Sequence, residues 1–134
     1  MVYFCKYLDL AHSVYTFSHT DDKKAHEQLL DFVERYFSRD TLDVLNNVHK
    51  SHRPPIFFQQ PGHSMTIIGF EHCKDDKRNL IVFDPSFGPG KQLQDLATKP
   101  SHAVISASTA DRLLKSYRRG TAQLSKYDEF EILT

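Results

Sequence analysis

One histidine and one aspartate stand at the ends of two apolar segments, and together they could carry out acid–base chemistry. His63 precedes the apolar run at 65–70, and Asp84 follows the apolar run at 80–83. A carboxylate that accepts a hydrogen bond from one ring nitrogen fixes the histidine tautomer, and the other nitrogen can then take a proton from a nucleophile. An ordinary polar pair at the surface of a hairpin explains the same residues.

The two segments read as neighbouring antiparallel strands, because both are rich in β-branched and aromatic residues and a charged loop lies between them. A hairpin of strands 63–70 and 79–84 in symmetric register places His63 directly opposite Asp84. Directly opposed residues have Cβ atoms roughly 4.5–5.5 Å apart. The pair would then share one face at one end of the hairpin, whereas a slip of one residue would separate the two side chains.

The remaining elements indicate an α+β domain with a mainly antiparallel sheet flanked by helices. Thr20 is the predicted N-cap of a helix that ends near Ser38, and its apolar residues recur at helical spacing. A further helix is predicted at 110–119, capped by Ser108 or Thr109, and a short one at 41–49. Strands are predicted at 2–7, 14–17, 56–58, 65–70, 80–83 and 127–133. Without repeats or linkers, residues 1–134 are expected to form a single domain.

Composition excludes some classes of function. Lys plus Arg and Asp plus Glu balance at 17 each, so no global field favours nucleic acid or an anionic membrane. The basic residues Lys115, Arg118, Arg119 and Lys126 are interpreted as the solvated face of a helix. No apolar run is long enough for a membrane span or typical of a signal peptide. With only two cysteines, a reducing, intracellular compartment is expected.

The same segments carry a resemblance to a known family. The strings Pro55-Ile56-Phe57-Phe58-Gln59, Gly62-His63-Ser64-x-Thr66-Ile67-Ile68-Gly69 and Leu80-Ile81-Val82-Phe83-Asp84-Pro85 resemble the ubiquitin-fold-modifier-specific proteases. Within that family of papain-like cysteine peptidases, the sequence is most similar to the zinc-finger-containing ubiquitin peptidase branch. The resemblance extends over most of residues 14–133 and is specific at 55–69 and 80–85.

The resemblance implies part of a papain-like thiol peptidase, a deubiquitinase-type hydrolase that cleaves after the C-terminal glycine of ubiquitin or a ubiquitin-like modifier. His63 matches the catalytic histidine of the family and Asp84 its catalytic aspartate. This chemistry needs no metal or organic cofactor, and ubiquitin or a related modifier is the implied partner, in the cytoplasm or nucleus. Gln59 and Gln60 are candidates for the channel of the modifier tail, or solvent-facing strand ends. Gly62 allows either close approach of a substrate tail or a turn.

The nucleophile is where the sequence departs from the family. Family members carry their cysteine far upstream of the histidine, in a Gly-Cys-Gly-Tyr-Arg-Asn-like segment at the start of a helix. No such segment occurs before His63, since Cys5 lies in a strand-like context and Cys73 in the loop at the far end of the hairpin. The sequence is therefore expected to represent the C-terminal part of a catalytic domain that is inactive alone. A pseudo-peptidase or a modifier-binding module is the alternative.

Two further alternatives have weaker support. His49-x-x-His52 has the spacing of metal ligands, but no paired cysteine or carboxylate motif accompanies it, so no metal site is predicted. Papain-like enzymes that process bacteriocins also place histidine and aspartate on successive strands. The Gln59, His63 and Thr66 string argues against that assignment.

Overall fold

The computed structural model describes residues 11–39, 48–99 and 105–134. Their strands form one antiparallel six-stranded sheet in the order β1-β6-β2-β3-β4-β5. The strands are β1 (Val14–Ser18), β2 (Ile56–Gln60), β3 (His63–His72), β4 (Arg78–Phe83), β5 (Arg118–Gly120) and β6 (Glu129–Leu133). The helices are α1 (Ala25–Ser38), α2 (Lys91–Ala97), α3 (Ala107–Leu114) and α4 (Thr121–Leu124), and a 3-10 turn spans Lys115–Tyr117. The predicted α+β class and antiparallel sheet are confirmed.

The hydrophobic core lies between helix α1 and one face of the sheet. Ala25, Leu29 and Val33 of α1 are fully buried at the helical spacing that the sequence predicted. From the sheet, alternate residues of β2 and β6 contribute, and the rings of Phe58 and Phe130 lie 5.8 Å apart. Residues of β3 and β4 are buried in the same core, which therefore fixes the strand that carries His63 and the strand that leads to Asp84.

Helix α1 begins later than predicted. Thr20 is not its N-cap, because the Thr20 hydroxyl forms a local turn in which it accepts from Lys23 N and donates to Lys23 O, each at 3.1 Å. The helix starts at Ala25, where the Glu27 carboxylate accepts from Lys24 N at 3.1 Å. The predicted end at Ser38 is confirmed.

The β3–β4 pairing differs from the symmetric register by two residues. Ile67 lies opposite Val82, where the sequence predicted Leu80, because β3 continues to His72 and only a five-residue loop separates it from Arg78. A bulge between Ile67 and Gly69 adjusts the rest of the ladder. A shift of two preserves the face of every side chain, so His63 still shares a face with Asp84 but approaches it diagonally.

The predicted helix at 110–119 is wrong at both ends. Helix α3 starts at Ala107, and the hydroxyl of Ser106, not of Ser108 or Thr109, accepts the N-terminal hydrogen bond. After Leu114 the chain tightens into the 3-10 turn and then becomes strand β5, which pairs with β4. Edge strand β5 therefore places Arg118 and Arg119 against the sheet, and neither is part of a solvated helical face.

Two of the predicted elements lie outside the described residues: the strand at 2–7, which contains Cys5, and most of the short helix at 41–49. Helices α2 and α4, in contrast, were not predicted. Both are short, and the apolar stripe that marks α1 is missing from their sequences.

A tight turn joins β2 to β3 and sets the position of His63. Pro61 and Gly62 are its two central residues, and Gly62 has a φ of 78°. Proline followed by a residue with positive φ is the pattern of a type II turn.

The substitution Gly62→Ala is expected to lower the free energy of unfolding by roughly 1 kcal/mol, because the backbone of an L residue with a side chain is strained at positive φ. A Cβ atom at this position meets no atom within 4 Å, so the effect reports backbone conformation alone. Urea denaturation would measure it. Gly88→Ala is the matched control, because Gly88 has equal space and no positive φ. Equal losses in the two variants would contradict this explanation.

Candidate active site

His63 and Asp84 meet at one end of the sheet. The imidazole Nε2 of His63 lies 2.8 Å from Oδ1 of Asp84. The His63 side chain is 31% exposed, whereas that of Asp84 is only 6% exposed. The contact proposed from the sequence is therefore present, with the carboxylate at the inner end and the imidazole facing outward.

The chemistry of the carboxylate determines the histidine tautomer. Burial acts to raise the pKa of Asp84, but hydrogen bonds from Ser86, His63 and Arg119 outweigh it and hold that pKa below its ordinary value. An ionised carboxylate only accepts hydrogen bonds, so Nε2 of His63 carries the proton. In the neutral form of this tautomer Nδ1 carries the lone pair, and it has no hydrogen-bond partner among the residues that the structure describes. A free basic nitrogen on an oriented ring is what a general base requires.

Both carboxylate oxygens of Asp84 accept hydrogen bonds from neighbouring groups. Oδ1 also accepts from the backbone N–H of Ser86 at 2.9 Å, and Oδ2 accepts from Nη2 of Arg119 at 2.8 Å. Because both oxygens are held, the carboxylate has a fixed orientation toward the imidazole.

An open cleft of about 410 Å³ lies beside the imidazole. It is lined by residues of the β2–β3 hairpin and by two residues that follow Asp84: Gln59, Gly62, His63, Ser64, Pro85 and Ser86. Two of the three predicted substrate-binding residues are therefore next to the histidine.

Gln60 occupies a different position. It is buried, and it lines a smaller depression with Pro61 and residues 129–131 of β6. The structure does not bring Gln60 into the cleft beside His63.

Cys73 is far from the candidate site. It lies just beyond β3, ten residues from His63, and at about 3.3 Å per residue the separation is roughly 30 Å. Burial, followed by the charges of Glu71 and Asp75, raises the pKa of the Cys73 thiol. Distance and protonation both exclude Cys73 as the nucleophile for His63.

The ion pair between Arg119 and Asp84 was not predicted from the sequence. Arg119 belongs to a basic cluster that a helical interpretation placed in solvent, yet its side chain is only 16% exposed. The signal that could have found it is the need of a buried aspartate for a cation. The local sequence, however, gives no indication of which arginine supplies it.

No group of three or more histidine, cysteine or acidic side chains within the described ranges could hold a metal ion. Among those same residues, no helix has the length and apolar character needed to cross a bilayer.

Comparison with known proteins places the chain among the peptidases. The sequence model of peptidase family C78 matches residues 1–133, and the chain therefore belongs to this family.

Two curated relatives are similar to the chain. Zinc finger-containing ubiquitin peptidase 1 of Mus musculus is 34% identical over 91 residues, which are 68% of the chain and 15% of the mouse protein. The protein of the same name from Homo sapiens is 32% identical over 108 residues, 81% of the chain and 17% of the human protein. The chain thus matches only about a sixth of the length of these relatives.

Asp84→Asn is expected to remove stability that depends on pH. Asp84 has a lower pKa in the folded than in the unfolded state, so its contribution is complete above the unfolded value of about 3.9 and disappears as pH falls through the folded value. At pH 7 we expect the variant to lose roughly 1–3 kcal/mol, since Arg119 loses its partner. Urea denaturation at pH 7, 4 and 3 would measure the difference in the free energy of unfolding between wild type and Asp84→Asn. We expect this difference to become smaller as the pH falls.

The exposed Asp95 provides the control for this experiment. Asp95→Asn should change the free energy of unfolding at pH 7 by no more than about 0.5 kcal/mol, the usual size of a surface substitution. A gap between wild type and Asp84→Asn that stays constant or widens at acid pH would contradict the assignment of an ionised, hydrogen-bonded Asp84.

Proposed function

We propose that this chain supplies the general base and the orienting carboxylate of a thiol-dependent peptidase that acts on ubiquitin or a ubiquitin-like modifier. His63 is the base, and the ionised Asp84 orients it. The observation that supports this role is the 2.8 Å contact between Nε2 of His63 and a buried carboxylate, with Nδ1 left open beside a cleft. Membership of a peptidase family is consistent with it.

In the proposed reaction, Nδ1 of His63 takes the proton of a cysteine thiol, and the thiolate attacks the carbonyl carbon of the scissile bond. The imidazolium, stabilised by Asp84, then donates its proton to the leaving amine as the tetrahedral intermediate collapses to a thioester. In the second half, His63 takes a proton from water as the water oxygen attacks the thioester carbon. The C–S bond then breaks, the thiolate takes the proton back from the imidazolium, and the acid product leaves as a carboxylate after releasing its proton to solvent.

The thiol is proposed to come from outside the described residues. The one cysteine they contain, Cys73, is roughly 30 Å from His63 and has a raised pKa. The site would then be completed by a segment that docks over the cleft and brings its sulfur to Nδ1.

The proposed substrate class follows from the relatives and from the form of the cleft. The relatives are named ubiquitin peptidases, and this region of theirs aligns with the chain. Gln59 and Gly62 border the cleft on the side of the β2–β3 turn, where an extended C-terminal tail could lie beside the imidazole. Since ubiquitin modification takes place inside cells, we place the activity in the cytoplasm or nucleus.

A non-catalytic role is the second candidate. The described part of the chain holds a complete histidine–aspartate pair but no cysteine near it. A domain that binds a modifier through the same cleft would need no nucleophile.

The isolated chain is expected not to release the fluorophore from a ubiquitin-based fluorogenic substrate, because neither cysteine lies in a Gly-Cys-Gly-like sequence segment such as the one that carries the nucleophile in the family. Turnover would be followed by fluorescence at neutral pH, with a Cys5→Ala variant alongside. Turnover in the wild type that disappears in Cys5→Ala would show that Cys5 is the nucleophile and would contradict this expectation.

A chimaera can test the base directly. Residues 11–134 would replace the corresponding region of the mouse relative, including the flanks of the 91 aligned residues, so that the remainder of that protein supplies whatever else the reaction needs. We expect the chimaera to hydrolyse the substrate, and His63→Ala or Asp84→Asn to lower kcat by roughly 10²–10⁴, the usual contribution of general acid–base catalysis.

Cys73→Ser in the same chimaera is the control and should retain wild-type kcat and KM. Full activity of the His63→Ala chimaera would exclude His63 as the base. A folded but inactive chimaera that still binds ubiquitin would favour the binding role.

A further inference from the structure

We infer that Arg119 is a positioning residue, which holds the Asp84 carboxylate and the loop that follows it in the geometry that orients His63. This inference rests on the proposed function, because it assigns a part in the same site to a residue of a different strand. The contact that carries it is the 2.8 Å hydrogen bond from Nη2 of Arg119 to Oδ2 of Asp84.

The Arg119 guanidinium is also held by hydrogen bonds to groups other than Asp84. Its Nη1 donates to the backbone oxygens of Ser116 at 2.9 Å and of Arg118 at 3.0 Å. The planar fork of the guanidinium can make these contacts while Nη2 remains directed at Asp84. With 16% of the side chain exposed, the ion pair is largely shielded from solvent.

Arg119 also holds the loop beside the cleft. Its guanidinium lies over the ring of Phe87, 5.8 Å from the centroid. Tyr117 packs edge-on against Phe87 at 6.4 Å and against Phe83 at 6.3 Å. The residues that flank Asp84 on both sides are thus attached to the segment that carries Arg119.

The two oxygens of Asp84 consequently have different roles. Oδ2 is occupied by Arg119, so Oδ1 is the oxygen that remains for Ser86 N and for His63 Nε2. Without the guanidinium the carboxylate can rotate about its χ2 torsion, which is broad for aspartate. The imidazole would then lose the fixed acceptor that selects its Nε2–H tautomer.

The histidine tautomer provides a test that needs no activity. In the full chain labelled with ¹⁵N-histidine, at a pH where the ring is neutral, the ring nitrogen shifts of His63 should show the Nε2–H form. In Arg119→Gln we expect a shift toward a mixture of the two tautomers. Arg119→Lys retains the charge but not the fork, and should give an intermediate spectrum.

Arg118→Gln is the matched control. Arg118 is the preceding residue of β5 and is 21% exposed, and it pairs with Glu71 and Asp111, not with Asp84. It should leave the His63 tautomer unchanged. If Arg119→Gln has the wild-type His63 spectrum, or if Arg118→Gln alters that spectrum as much, Arg119 has no positioning role.

The chimaera adds a kinetic measurement. There, Arg119→Gln should lower kcat by roughly 10- to 100-fold, the size of effect known for outer-shell partners that orient metal ligands. KM should change little, and Arg118→Gln should leave kcat unchanged. An unchanged kcat in Arg119→Gln would overturn the inference. If the parent chimaera is inactive while the tautomer shifts as expected, the proposed function fails and the positioning of His63 by Arg119 stands.

Discussion

The structure of the candidate site depends on the burial of one carboxylate. A carboxylate removed from water is costly unless its lone pairs are satisfied, and Asp84 is 6% exposed. Three donors satisfy it: the Ser86 backbone in the loop, His63 on β3 and Arg119 on β5. Each comes from a different part of the chain, so the buried carboxylate has all three donors only when the β3–β4 hairpin, the loop after β4 and the edge strand are in place. The orientation of the imidazole is a consequence of that requirement.

Residue alternation made the His63–Asp84 pair predictable even though the register was wrong. The true pairing of Ile67 with Val82 is offset by two residues from the symmetric one, and an even offset leaves each side chain on its original face. What alternation cannot supply is the length of the hairpin loop, because charged residues such as Glu71 fit a loop and an exposed strand end equally well. Helix α1 was predictable for a similar reason: its apolar stripe survives an error of a few residues at the N-terminus.

Arg119 was not predictable, and the reason is physical. It is 35 residues from Asp84 in the sequence, and a three-residue edge strand carries it. The apolar residues before Arg119 recur at helical spacing, and this pattern favours a helix that continues from α3 through Arg119. Pairing with β4 overrides that preference, since Gly120 pairs with Asn79 and Arg119 with Leu80. Short strands are stabilised by pairing with strands that are distant in the sequence. Local sequence patterns therefore predict them poorly.

The histidine–aspartate pair is complete without a thiol. Its hydrogen bonds are made within the described residues, and the sheet that holds it packs on α1, so no incoming group is needed to assemble it. In the proposed reaction, the nucleophile would therefore meet a nitrogen whose position is already set, and its sulfur would have to come within hydrogen-bond distance of Nδ1 over the cleft that Gln59 and Ser86 border. On the proposed function, the histidine–aspartate pair is preorganised, and the docking of the proposed cysteine segment would determine the rest of the catalytic geometry.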